Sequence, residues 1–337
     1  MSIKNVMIID PVVMPNDIFT KSLYLIAACL FSGILVSIDW EALRGYQFID
    51  RTNYYVYFKF EENVLAYTKT KNWYDFITTE YLWQVSIPFI LKNTSVPISV
   101  IFNAISFFCI STFSWFVLRY GKWWLLFLLI NPLLITLSFD QMRMALAFSL
   151  LLWAYMLPRK LFIISVFLCV IAPFFHTASI IFILLFIGLV FLSTLYKRNI
   201  FNANMVLLTL IAVGAFMSFL FGDLLQQVLS VVGDRRADRY LIDTSSGIKY
   251  TSFWFLFLCV CFFQGPNFVK SLQHNYCIII LSFVTFNLIF GGYSLRFLAV
   301  SLPIMLITLT STNRNVRYLL VTAYLAYTML QWSYWIH

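Results

Sequence analysis

Apolar runs of roughly bilayer-crossing length alternate with short polar breaks along nearly the whole chain. An α-helix rises about 1.5 Å per residue, so about 17–25 apolar residues cross a hydrocarbon layer ~30 Å thick. Backbone amides find no water partner there, which makes the helix the natural spanning element. The pattern predicts spans at about 18–38, 96–118, 123–139, 141–157, 160–174, 176–195, 203–221, 250–264, 275–291, 293–311 and 316–335. The fold class is an all-α polytopic integral membrane protein with about 11 transmembrane helices. The short alternating strands of a membrane β-barrel are absent from the pattern.

One apolar stretch does not fit the alternation. "EYLWQVSIPFIL", residues 80–91, is too short to span and would invert the order of sides if it did. It is expected as a re-entrant or interfacial half-helix. The first residues show no charged n-region followed by a small-residue cleavage site, so 18–38 reads as a retained signal anchor. Neither a soluble domain nor a strong internal repeat interrupts the pattern. The expectation is a single membrane-embedded domain over 1–337, with long polar connections at about 39–79, extended by the half-helix 80–91, and at 222–249.

Composition agrees with this class. Hydrophobic residues make up 61% and charged residues 11% of the chain, whereas soluble domains carry about 25% charged residues. The net charge of +9 invites a nucleic-acid reading, but in a membrane protein the placement of Lys and Arg carries the information. "RYGK" (Arg119–Lys122), "LPRK" (Leu157–Lys160), "YKRN" (Tyr196–Asn199), "GPNFVK" (265–270) and "NRNVR" (Asn313–Arg317) fall at every second boundary. Assigned to the cytoplasm, they give a consistent alternation with the N-terminus inside and the 39–79 and 222–249 connections outside. No nucleic-acid partner follows. The cysteines (Cys29, Cys109, Cys169, Cys259, Cys261 and Cys277) all lie in apolar segments. They form no CxxC pair or Cys/His cluster, so no zinc, haem or disulfide framework is expected.

Under this topology the outer side collects "DQMR" (Asp140–Arg143), "FFHT" (Phe174–Thr177), "GDRRADRY" (Gly233–Tyr240), "GGYSLRF" (Gly291–Phe297) and "RGYQFIDRTNYYVY" (Arg44–Tyr57). Arg143 lies about one turn inside its span, and Asp140 precedes it by three positions, so the two are expected to share a helical face. They either staple a helix end or mark a site, since ionisable residues inside spans tend to face a bundle interior. His176 is either a turn histidine bound to backbone or a general base or oxyanion donor. Arg235, Arg236 and Arg239 form either a solvated, salt-bridged loop or a grip for a diphosphate, which guanidiniums bind bidentately. Arg296 sits about one turn into its span, as Arg143 does. Tyr46, Tyr54, Tyr55, Tyr57, Trp73 and Tyr74 read as an interfacial aromatic belt, with sugar-stacking platforms as the other reading. Glu80, opening the half-helix, is the carboxylate best placed to neutralise an arginine or hold a sugar hydroxyl.

Five stretches in this order, "IDRTNYYVYF", "TEYLWQVSIPFI", "DQMRMALAFSLLLWAYML", "FFHTASIIFILL" and "GGYSLRFLAVSLPIML", span nearly the whole chain. In them the sequence resembles the EpsG branch of the Wzy-type polysaccharide polymerases. The resemblance implies a GT-C-like glycosyltransferase of the bacterial inner membrane, with its active site facing the periplasm. It implies polymerisation of undecaprenyl-diphosphate-linked oligosaccharide repeat units into O-antigen or capsule-type polysaccharide, without metal or other cofactor. Donor and acceptor are then both lipid-linked glycans, and a Wzz-type chain-length regulator and a flippase are the implied protein partners. On this reading His176, Arg143 and Asp140 are catalytic candidates. Arg235, Arg236, Arg239, Arg296, Glu80, Arg51 and Tyr293 are diphosphate- or glycan-binding candidates. The rival readings are a flippase or transporter of lipid-linked oligosaccharide, a sugar acyltransferase, and an O-antigen ligase. A transporter should place charges near the bilayer midplane in repeated halves, whereas here they gather at one side.

Overall fold

The structure, a computed structural model, describes residues 18–59, 75–221, 248–266, 268–291 and 294–336. Every regular element among them is helical. The described chain clusters into two units, one from its start to Leu184 plus the residues from Trp332 on, the other from Leu185 to Gln331.

The first unit opens with α1 (Ile18–Ser37), a 20-residue helix without an acidic residue in its first turn or a basic one in its last. Two short helices follow, α2 (Trp40–Arg44) and α3 (Ile49–Lys59), so much of the 39–79 connection is helical rather than extended. Asp39 caps α2, its side chain accepting from Ala42 N at 3.0 Å, and Gly45 closes it at φ 77°, a conformation glycine adopts without strain. Next come α4 (Asp75–Thr78) and α5 (Tyr81–Asn93); the latter occupies the place of the expected half-helix. The central element is α6 (Ile98–Tyr120), which starts after Pro97 and stops at Gly121. It packs against α1 along one side, and Ser106 Oγ donates to Ser138 O at 2.7 Å along another.

The span expected at 123–139 is not one helix. The chain forms α7 (Leu125–Leu128), breaks, and restarts as α8 (Pro132–Phe139). The cause is the "NP" pair: Pro132 has no N–H to continue a preceding helix but suits a first helical position, and the Asn131 side chain accepts from Leu133 N at 2.8 Å. At 8 residues, α8 is about 12 Å long and cannot cross a bilayer alone. After Asp140 and Gln141 the chain turns by 101° into α9 (Met142–Met156). A 3₁₀ turn then leads into α10 (Phe162–Phe175), which packs on α9, α4 and α5.

The helix α11 (Ser179–Lys197) begins in the first unit and runs into the second. The second unit continues with α12 (Ala203–Phe219), α13 (Ile248–Phe262), α14 (Leu272–Phe290), α15 (Ser294–Ser311) and most of α16 (Arg314–Trp335). Its packing centre is α14, in contact with α12, α13 and α15. One buried hydroxyl there is fully paired. The Tyr327 hydroxyl accepts from Trp254 Nε1 at 2.9 Å and Gln331 Nε2 at 2.7 Å, and donates to Tyr250 O at 3.1 Å. In an apolar setting that full complement avoids the cost of unpaired polar atoms.

Among the described residues, α1, α6, α11, α14 and α15 are each long and apolar enough to cross a membrane, and the bent α8/α9 pair makes a sixth if counted as one span. These helices identify a membrane-embedded protein. Of the other expected spans, some correspond to shorter helices, such as the 14-residue α10 and the 17-residue α12, and 316–335 corresponds to the 22-residue α16.

Candidate active site

Within the first unit, four segments distant in sequence meet around one carboxylate, that of Glu80. The chain enters α5 through this residue in a left-handed conformation, φ 55° and ψ 52°, which is uncommon for a residue with a Cβ. Glu80 stands at the N-cap position yet makes no side-chain bond to its own helix. Its carboxylate instead reaches two other elements. Oε2 is ion-paired with Arg143 Nη1 from the first turn of α9. Oε1 lies 2.5 Å from Nδ1 of His176, the residue that ends α10, and accepts a longer bond from Thr177 N at 3.3 Å. Thr177 Oγ1 donates to Ile77 O at 2.9 Å, tying the α10–α11 corner to the turn that precedes Glu80.

Arg143 has a second anchor. Its Nε donates to the Tyr54 hydroxyl at 2.6 Å, and its guanidinium carbon lies 5.0 Å from the centroid of the same ring. Tyr54 is buried on α3 and meets Trp83 edge-on at 5.3 Å and Phe102 at 6.3 Å. With Nε and Nη1 engaged, Nη2 has no protein partner among the described residues, and neither has Nε2 of His176. The Arg143 side chain is 30% exposed and that of His176 21%, against 9% for Glu80. The carboxylate is thus the sealed base of the site, and the two nitrogen groups line its accessible side.

Electrostatics follow from this burial. Desolvation pushes the Glu80 carboxyl up, but the His176 hydrogen bond and the Arg143 charge outweigh it and hold the group below the ordinary carboxylate value. Burial pushes the Tyr54 phenol well above its usual range, with the Arg143 charge opposing, so it stays a neutral hydroxyl. An ionised Glu80 accepts from Nδ1–H of His176, so the neutral form of the ring would carry its lone pair on Nε2. A carboxylate that fixes a histidine's tautomer beside an arginine with a spare donor is suited to taking a proton from a hydroxyl next to a developing anion.

Two expectations from sequence are corrected here. Asp140 and Arg143 do not share a helical face, because the chain bends between them: Asp140 caps the end of α8 while Arg143 belongs to α9. Asp140 Oδ1 instead accepts from Asp50 N at 2.7 Å, fixing the start of α3. The aromatic belt reading fails for Tyr54, which is a buried arginine partner; Tyr55 is half-buried and packs on Phe102 at 5.1 Å. Tyr46 is exposed, with the Arg44 guanidinium 3.8 Å from its ring centroid.

Arg51 is half-buried, Nη2 donating to Asn103 Oδ1 at 2.7 Å. Arg296 lies exposed in the first turn of α15, in the second unit. Arg235, Arg236, Arg239 and Tyr293 lie outside the described residues. Tyr54 and Thr177 are the site residues that sequence reading missed. Nothing local marks Tyr54 as the partner of an arginine 89 positions away.

The sequence model of the EpsG family matches residues 22–337, nearly the whole chain. Comparison with curated proteins and with solved structures gives no match.

Proposed function

The chain belongs to the EpsG family, a Wzy-like polymerase family, and on that premise we propose that it polymerises undecaprenyl-diphosphate-linked oligosaccharide repeat units at the periplasmic face of a bacterial inner membrane. The observation that carries this reading is the Glu80 carboxylate held between Arg143 and His176. In the reaction the anomeric C–O bond to the carrier breaks, and undecaprenyl diphosphate leaves with the electron pair. The acceptor hydroxyl of the next lipid-linked unit forms the new glycosidic bond and gives up its proton.

Each step has a residue fitted to it. Arg143, anchored through Nε and Nη1, turns its remaining donor to the leaving diphosphate and stabilises its growing charge in a site partly shielded from water. His176 accepts the hydroxyl proton on Nε2, and the resulting imidazolium is stabilised by Glu80. Glu80 then acts on the histidine and the arginine rather than on the glycan. Asp140 supports the site by fixing α3 and hence Tyr54. The arginines at 235, 236 and 239, with Arg296 and Tyr293, are proposed to bind the second carrier or the glycan. A chain-length regulator and a flippase are the proposed protein partners.

The test is genetic and biochemical. Deletion of the gene is expected to remove the long surface-polysaccharide ladder while single-repeat capped core persists. Arg143→Ala and His176→Ala should each leave protein in the membrane and abolish the ladder. Loss of capped core as well would point to a flippase or a ligase and sink the polymerase reading.

A further inference from the structure

The helix α3 has two working sides. Tyr54 and Phe58, four residues apart, face inward, Tyr54 to Arg143 and both to Trp83. Tyr55 and Lys59, also four apart, face a groove of about 350 Å³ between the end of α3 and the α5–α6 junction. Val56, Phe58, Leu91 and Ile98 supply its apolar walls, and Lys59, exposed at the last position of α3, supplies its cation. The volume is in the range of small-molecule sites, ~300–1,000 Å³. Walls this poor in hydrogen-bonding groups suit a hydrocarbon chain, and a single ammonium among them suits an anion attached to that chain.

We propose that this groove holds the first isoprene units of a polyprenyl-diphosphate substrate, with Lys59 paired to its diphosphate. The assignment rests on the polymerase reading above. Two observations select a substrate lipid over a bulk phospholipid. The groove and the Arg143 contact use adjoining sides of one helix, since Phe58 lies beside Tyr54 and also forms part of the groove wall, and that helix is only about 10–12 Å across with side chains. Both also draw on one aromatic cluster, in which Tyr54, Phe58, Trp83 and Phe102 are buried and Tyr55, Leu91 and Ile98 pack against them. A lipid whose head group reaches Arg143 therefore has an apolar bed beside it on the same helix.

The experiment uses the full chain in proteoliposomes and a polyprenyl-diphosphate oligosaccharide carrying a diazirine beside its first isoprene units. Illumination is expected to label residues 55–59 and 91–98. Val56→Trp, at a position 55% exposed and so tolerant of bulk, and Leu91→Trp fill the groove from two walls. Each should suppress the label and raise KM for the lipid-linked substrate about tenfold, ~1.4 kcal/mol, with kcat close to wild type. Lys59→Glu should raise KM in the same way, and Lys59→Arg should restore it. Equal labelling of these segments by a diazirine phospholipid, or unchanged label and KM in Val56→Trp, overturns the groove assignment while wild-type polymerisation stands. A wild type that makes no polymer from the same substrate overturns the polymerase reading instead, and the substrate assignment with it.

Discussion

Glu80 adopts a backbone conformation that usually favours glycine, and forgoes capping its own helix, in order to face Arg143 and His176. A non-glycine residue in this region costs on the order of 1 kcal/mol, and such strain concentrates at functional sites. Glu80→Gln keeps the shape and removes the charge; polymer synthesis is expected to fall by about 10²-fold or more, the scale of lost general-base assistance. Arg143→Lys keeps the charge but loses the fork that binds Tyr54 and Glu80 together, and the rate should drop by about 10²-fold. Both are read as polymer formed per unit time by protein present at wild-type level. The depressed Glu80 pKa also has a stability consequence. Above its ordinary value near 4.5 the carboxylate is ionised whether folded or unfolded, and the full contribution is present. As pH falls below that value the unfolded chain binds the proton first, so stability declines until the folded group titrates too. Thermal unfolding in detergent should therefore show Tm falling below about pH 4.5 in wild type, and falling less steeply in Glu80→Gln.

At the scale of elements, close packing and interruption matter more than propensity. Gly214 lets α12 touch α14: a Cβ there would stand 2.5 Å from both Ile279 O and Ser282 Cβ, and 2.9 Å from Phe283 N. Two of these neighbours are backbone and cannot rotate away. Gly214→Leu should force the helices apart at a cost of about 1–3 kcal/mol, seen as a lower Tm and poorer yield of folded protein. On α8 the cap is the sensitive point. Asn131→Ala removes the bond to Leu133 N and should cost about 1 kcal/mol, while Asn131→Asp should retain most of the stability. The bend after α8 is what separates Asp140 from Arg143, so a loosened α8 should lower activity as well as stability.

For the whole molecule, the basic loops at alternate boundaries set the expected orientation. Ser95, just before α6, and Lys160, just before α10, are both exposed. On that expected orientation Ser95 would lie in the periplasm and Lys160 in the cytoplasm. A membrane-impermeant thiol reagent should label Ser95→Cys in intact cells, and Lys160→Cys only after permeabilisation. The reverse result would turn the site to the cytoplasmic side and remove the proposed periplasmic reaction. The native cysteines give little background because they sit within apolar helices.

Apolar run lengths by themselves determined that the chain is helical and membrane-embedded, and they located most helices within a few residues, because a bilayer demands a minimum run of apolar side chains whatever the neighbours are. The same reading singled out Arg143, His176 and Glu80, since charge is conspicuous in so apolar a chain. It misjudged 123–139, where overall hydropathy hid the "NP" stop signal, and it paired Asp140 with Arg143, because spacing along an assumed continuous helix cannot register a 101° turn. Only tertiary structure decided that Glu80 lies against an arginine 63 and a histidine 96 positions away, and that Tyr54 completes the group. Those contacts depend on where three helix ends and the middle of α3 converge, a property of packing that no local pattern of residues contains.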